Sequence, residues 1–255
     1  MSTPTIALQI YSIRDELKTK ESFTAAMKKL AEIGYTAIEI AGIGADLSDE
    51  EIRSICDDAG LKIISAHIVL DAFEADFDGT VKKLKTWGAS MVAMPVPPQY
   101  VREGHDWDKY AKASDELGAK LAAEGITLSY HNHSFEFQKY DGELGLEKLY
   151  AQTDPANLKT QLDLCWVQRG GGCPVTYIKK YAGRMPTIHF KDFMIVDNDL
   201  WLSPVGEGNL DWDNIIPTVL ESGVEYVIVE QDNTHDKPFE SVASSYNFLK
   251  SKGLK

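Results

Sequence analysis

Eight short apolar runs, seven of them led in by an amphipathic stretch and a turn residue, predict a closed (β/α)8 barrel, the TIM barrel, as one domain over residues 1–255. A chain of this length can bury a full core. Glycine marks the rhythm: Gly34 precedes YTAIEI, Gly60 LKIISAH, Gly88 ASMVAM, Gly125 ITLSYH, Gly183 RMPTIHF and Gly223 VEYVIVE. Gly suits the left-handed position that ends a helix, and the apolar run after it suits a strand buried on both faces.

TIALQIY supplies the first strand. The one unit without glycine runs from a helix near Leu144 to Gln152 through TDPANLK into TQLDL, with Asn157 expected in the left-handed turn position. Helices are signalled by a capping box from Ser48 to Glu51 and by the amphipathic run WDKYAKASDELGAKLAAEG. An open doubly wound sheet is the alternative, but it would carry a Gly-rich phosphate turn after an early strand, and LQIYSIRDEL has none. The longest irregular stretches, Pro95–Asp106 and Asp192–Leu210, follow the fourth and seventh strands, where loops belong to the active face and could form a lid.

A formal net charge of −13, with both signs mixed along the chain, disfavours nucleic acid and anionic membrane, which need a basic footprint. Polyanionic substrates are not expected either, and a homo-oligomer stays open. MSTPTIALQIYSIRDEL lacks the pattern of a secretory signal, no run approaches transmembrane length, and Cys56, Cys165 and Cys173 form no CxxC pair. A cytoplasmic protein with reduced cysteines is the expectation.

Four successive runs end in metal-ligand side chains. LSYHNHSFEF carries His131 and Glu136, TQLDL ends near Asp163, TIHFKD carries His189, and VIVEQD carries Glu230. In a parallel barrel the carboxyl ends of strands converge on one face, so these residues could meet around one divalent ion. Each also has a structural reading. Asp163 could cap the next helix or pair with Arg169, and a strand-end His is often a hydrogen-bonded core residue. Their joint occurrence is what points to a site.

Strands ending in Asp, His and Glu, the loop SPVGEGNLDWDNII, and the pair HFKD and VEQD resemble the xylose isomerase-like TIM barrel family over essentially the whole chain. That family includes sugar and sugar-phosphate isomerases and epimerases, and 2-keto-myo-inositol dehydratase. The resemblance implies one divalent ion, Mn, Co, Mg or Zn, held by carboxylates and a His. It would bind vicinal oxygens of a keto-sugar and stabilise an enediolate. Asp163, His189 and Glu230 take ligand roles by position, and Glu230 could also carry a proton.

The fifth strand departs from the family pattern, because His131 stands where many members have a Glu. Either His131 is the fourth ligand, or Glu136 folds back to the metal and leaves His131 or His133 as general base. Glu136 is favoured, since a third carboxylate keeps the oxygen-rich character that suits manganese or magnesium. A third possibility is that HNH packs beneath the site.

Gln9, Tyr11, Arg14, Glu39 and His67 are expected to line the mouth, with Trp166 as an aromatic wall for a sugar face or as core. Lys191, two residues past His189, could donate to a substrate oxygen, assist enolate formation, or pair with Asp192. Glu207 is expected on the active face or against a loop backbone. No Arg/Lys cluster with a Gly-rich turn marks a phosphate site, so an unphosphorylated sugar or polyol is the expected substrate. Isomerase or epimerase chemistry leads, dehydratase or lyase chemistry is the alternative, and a non-catalytic sugar-binding barrel is third.

Overall fold

The computed structural model describes residues 3–255. Eight parallel strands face the axis: β1 (Thr5–Gln9), β2 (Ala37–Ile40), β3 (Lys62–Ala66), β4 (Met91–Met94), β5 (Thr127–His131), β6 (Leu158–Gln161), β7 (Thr187–Phe190) and β8 (Tyr226–Val229). They pair in the order β3-β2-β1-β8-β7 and, separately, β4-β5-β6. Two single parallel bridges, His67 to Ala93 and Asp163 to His189, join the two sheets into a ring. Three of the candidate site residues therefore sit on the two seams that close the barrel.

Outside the strands, among the described residues, lie eight helices that alternate with them, α1 (Lys20–Ile33), α2 (Asp49–Asp58), α3 (Phe77–Trp87), α4 (Trp107–Ala123), α5 (Gly145–Ala151), α6 (Pro174–Lys180), α7 (Trp212–Ser222) and α8 (Pro238–Ser251), with shorter helical turns in the loops. The capping box expected at Ser48 and Glu51 is formed at the start of α2. All six predicted helix-ending glycines have positive φ, from 72° at Gly88 to 121° at Gly34. Asn157 does not belong to the positive-φ residues. The turn is instead held from outside, with the Asn157 amide donating to Asp115 of α4 at 3.0 Å and the Asp154 N–H to the same carboxylate at 2.7 Å. A side-chain bracket thus replaces the left-handed residue.

Contact at this turn is close. A Cβ added at Gly118 of α4 would lie 2.1 Å from the Asn157 carbonyl oxygen, a backbone atom that cannot rotate away. Gly118→Ala should therefore cost about 1–3 kcal/mol despite the better helix propensity of Ala. Equal or higher denaturation midpoints in the variant would contradict this packing.

The core has two parts. A large cluster fills the space between strands and helices, and a small one, Ala7, Ala37, Ile64, Met91 and Ile228, fills the lower interior of the ring. Side chains on a strand alternate faces with period two. Stepping two residues up from Ala7, Ala37, Thr187 and Ile228 gives Gln9, Glu39, His189 and Glu230. The site is the next interior layer above the inner core.

Neither long stretch is wholly irregular. Pro95–Asp106 contains a short helix, Gln99–Arg102. Asp192–Leu210 opens with an antiparallel hairpin, Asp192–Val196 against Asp199–Ser203, whose two turn residues, Asp197 and Asn198, both have positive φ. That is the backbone of the tight primed turns that suit twisted hairpins. Among the described residues no helix is long and apolar enough to cross a membrane.

Candidate active site

The ring mouth gathers side chains from seven of its eight strand ends, all but β4. One ligand atom each from His131, Asp163, His189 and Glu230 lies within 4.8 Å of the others, and all four residues are buried. Asp163 divides its carboxylate between two tasks. Oδ1 accepts the Trp166 N–H at 3.0 Å and caps the short helix Leu164–Arg169, whereas Oδ2 has no hydrogen-bond partner among the described residues and faces the Lys191 ammonium at 3.1 Å. His131 Nδ1 is likewise unpartnered among the described residues, and its Nε2 lies 4.0 Å from that Oδ2.

Orphaned buried polar atoms are costly unless something completes them. Two imidazoles and two carboxylates converging with such atoms form a donor set that fits a divalent ion. His67, His131 and His189 also bring nitrogens within 4.8 Å of one another, but that group includes no carboxylate, and His67 Nε2 lies 2.9 Å from Gln161 Oε1 and 3.0 Å from Glu39 Oε1.

Glu39 is the base of the network. Fully buried in β2, it meets His189 Nε2 at 2.8 Å and accepts from the Gln9 amide at 2.9 Å and the Gln161 amide at 2.8 Å. His189 Nδ1 meets Glu230 Oε2 at 2.9 Å. Burial alone would raise the Glu39 pKa, yet His67 and His189 hold it well below the carboxylate range. For His189 burial works downward, and Glu39 and Glu230 overcome it, raising the imidazole to about 9. His131 goes the other way: burial, together with His189 and His67, holds it well below its usual value and keeps it neutral.

Lys191 is fully buried. Its ammonium lies 2.9 Å from Glu230 Oε2, 3.1 Å from Asp163 Oδ2 and 2.9 Å from Asp232 Oδ2, without hydrogen-bond angles to any of them. Burial disfavours the charge, but these three carboxylates push the pKa well above that of a free lysine. Glu230, whose pKa burial would raise, is pulled well below its usual value by Lys191 and His189. Asp163 is pushed up to about 6 by burial, against the pull of Lys191.

The fifth-strand residues separate. Glu136 turns away from the four-residue cluster and accepts from Tyr130 Oη at 2.7 Å and from the His133 N–H at 2.9 Å to each oxygen. Burial pushes it up to about 7 in spite of those bonds. It fixes the bend that carries His133 to the mouth. There His133 stacks between Phe135 and Trp166, with ring centroids at 5.5 and 5.8 Å, and burial lowers its pKa to about 4. Trp166 also lies 4.9 Å from the Lys191 ammonium.

The remaining expected residues lie further out. Arg14 packs over the Tyr11 ring at 4.3 Å and donates to the Asp232 carbonyl at 2.8 Å, which places both at the rim. Glu207 is exposed and pairs with Ser244 of α8, outside the cluster. Sequence reasoning missed Gln161, Asn132 and Asp232. Asn132 accepts the Asp163 N–H at 3.1 Å and so fixes the seam. Gln161 stands two residues before Asp163 and Asp232 two after Glu230, so the period of two could have found both.

A family profile described as "Xylose isomerase-like TIM barrel" matches residues 27–252. The chain belongs to that family. Among proteins similar to this xylose isomerase-like barrel is inosose dehydratase of Lacticaseibacillus casei, 27% identical over 163 residues, which are 56% of this chain and 54% of that protein. The aligned part is thus about half the length of that relative. Inosose dehydratase 2 of a Bacillus cereus strain is 25% identical over 253 residues, covering 90% of this chain and 81% of that protein. A sugar phosphate isomerase/epimerase from Parabacteroides distasonis superposes with a TM-score of 0.82 at 24% identity, over 99% of this chain and 96% of that one. At that identity the superposition speaks for the fold.

Proposed function

We propose that the protein is a metal-dependent dehydratase, a carbon–oxygen lyase acting on an unphosphorylated keto-sugar or cyclic keto-polyol. The observation that carries this reading is the arrangement of the fifth strand. Two-sided epimerisation is simplest with a carboxylate on each face of the reacting carbon. Here Glu136 is tied to Tyr130 and His133, and the mouth instead presents a neutral imidazole, His133, which shares the Trp166 ring with the Lys191 cation. Base and acid of different kinds suit a one-way elimination. The names of the similar dehydratases support the same order, and isomerisation, which the sequence put first, becomes the second reading.

A divalent ion held by His131, Asp163, His189 and Glu230 would polarise the substrate carbonyl and acidify the neighbouring C–H. His133 Nδ1, buried and without a partner among the described residues, takes that carbon-bound proton. Lys191 protonates the departing hydroxyl, which leaves as water while the carbon–carbon double bond forms. Solvent then carries the proton from imidazolium back to the amine. Trp166 and Phe135 hold His133 between them and present apolar rings to a sugar face.

Incubation of metal-loaded protein with 2-keto-myo-inositol and a panel of keto-sugars in heavy water, followed by NMR, tests the proposal. An unsaturated product is expected. A deuterium-bearing isomer or epimer with no unsaturated product would favour the isomerase, and turnover of nothing on the panel by metal-loaded protein would favour a binding barrel. His133→Asn should retain metal and lose about 10²–10⁴ in rate, the usual worth of a general base. Full activity in that variant would remove His133 from the mechanism.

A further inference from the structure

The position of Lys191 bears on how the metal site is filled. Its ammonium stands within 3.1 Å of Asp163 Oδ2 and 2.9 Å of Glu230 Oε2, oxygens of two of the four clustered residues. A lysine ammonium and a divalent cation on the same carboxylates repel each other strongly in a buried site, so loading the ion favours moving the ammonium away. Lys191 has a third partner, however. Asp232 Oδ2 lies 2.9 Å away, its side chain is 33% exposed, and it is not among the clustered ligands. The Asp232 backbone carbonyl is held by Arg14 at 2.8 Å, so the loop that offers this carboxylate is anchored to the first strand unit.

We propose that Lys191 is a built-in counter-cation for the metal site, bridging Asp163 and Glu230 in the metal-free protein and withdrawing onto Asp232 when a divalent ion loads. The inference rests on the metal-centre reading above. Asp232 then acts as a positioning residue, the resting place that lets the ammonium leave the ligands without becoming an unpaired buried charge. Withdrawn toward Asp232, the ammonium also stays beside Trp166, on the side where substrate enters. Without the lysine, the carboxylates of the metal-free site repel one another, and a divalent ion relieves more of that repulsion.

The test is metal affinity, read with Mn²⁺ and Co²⁺ by competition against a chromophoric chelator, so that no substrate is needed. Lys191→Met should bind either ion about tenfold more tightly than the unaltered protein and should gain more thermal stability on loading, since a removed competitor no longer has to be displaced. Asp232→Asn should bind about tenfold more weakly, although Asp232 is no ligand. In the double variant the Asp232 effect should vanish, because its partner is gone. If Asp232→Asn weakens binding equally with and without Lys191, it acts on the metal by charge alone and the proposal is overturned. Unchanged or weaker binding by Lys191→Met overturns it as well. Should Lys191→Met fail to fold, Asp232→Asn, at the rim, still decides: unchanged affinity there is incompatible with a resting place for the lysine. Absence of any metal binding by the unaltered protein would instead remove the metal-centre reading itself.

Discussion

Replacing Asp163 with Asn together with Glu230 with Gln should abolish stoichiometric binding of a divalent ion and lower turnover by about three orders of magnitude or more, since the variant loses both anionic ligands and keeps only imidazoles. The two residues enter from different directions. Asp163 sits on the seam between β6 and β7 and offers a buried oxygen that faces the Lys191 ammonium, while Glu230 stands just past β8 against His189 and Lys191. Neither can replace the other by a rotamer change, because each is held by its own neighbours. Elemental analysis of protein purified without chelator should find about one metal per chain before the change and almost none after it. Metal retained at the original level by the double variant would show that the ion, if any, sits elsewhere, for example on His67, His131 and His189. The isosteric changes matter here, since Asp163→Asn keeps an oxygen to cap the Leu164–Arg169 helix, and Glu230→Gln leaves the bond from the neighbouring Gln231 N–H to Ser12 in place.

The barrel was legible because its signals are local and repeated. A helix-ending glycine followed by a β-type run needs no distant partner, and all six such glycines carry the backbone expected of them. Asp163, His189 and Glu230 were legible for a related reason: a charged side chain directly after a buried run needs partners, and the barrel geometry supplies them at one end. The fourth member of the cluster was not. Choosing between His131 and Glu136 depends on whether the chain after β5 bends back, and that bend is fixed by the Tyr130 hydroxyl reaching Glu136. Nothing in HNHSFEF encodes such a tertiary contact by spacing. Glu39 illustrates a different loss. Its position in AIEI placed it correctly at the mouth, but its role as the acceptor for Gln9, Gln161 and His189 emerges only when four strands meet. Asn157 failed for the same reason, because its partner Asp115 belongs to another helix.

The largest effect on stability should come from a residue that no catalytic argument singles out, Asp192, the last residue of HFKD. Its fully buried carboxylate does not pair with Lys191. It accepts from the backbone N–H groups of Phe193 at 2.9 Å, Gly206 at 3.0 Å, Gly208 at 3.1 Å and Leu210 at 3.2 Å, and from the Trp212 indole at 2.6 Å. One side chain thus closes the loop SPVGEGNLDW onto the end of β7, and the fit is close enough that a Cβ on Gly208 would lie 2.2 Å from Asp192 Oδ1. Asp192→Ala would leave five donors facing a hole, and unmet buried donors each cost on the order of 1–3 kcal/mol before any relaxation or water entry. A net loss of about 3–5 kcal/mol is expected, which lowers the melting temperature by roughly 6–20 °C in a chain of this size. Asp192→Asn keeps one acceptor oxygen but turns an NH₂ toward the other donors, so it should recover only part of that loss. Differential scanning calorimetry on metal-free protein isolates the effect from metal binding. A melting temperature within a degree or two of the unaltered value in Asp192→Ala would mean that the loop is held by something other than this carboxylate. The result also bears on the site. Lys191 precedes Asp192 directly, so a slackened loop should loosen the lysine that faces Asp163 and Glu230, and metal affinity should change along with stability.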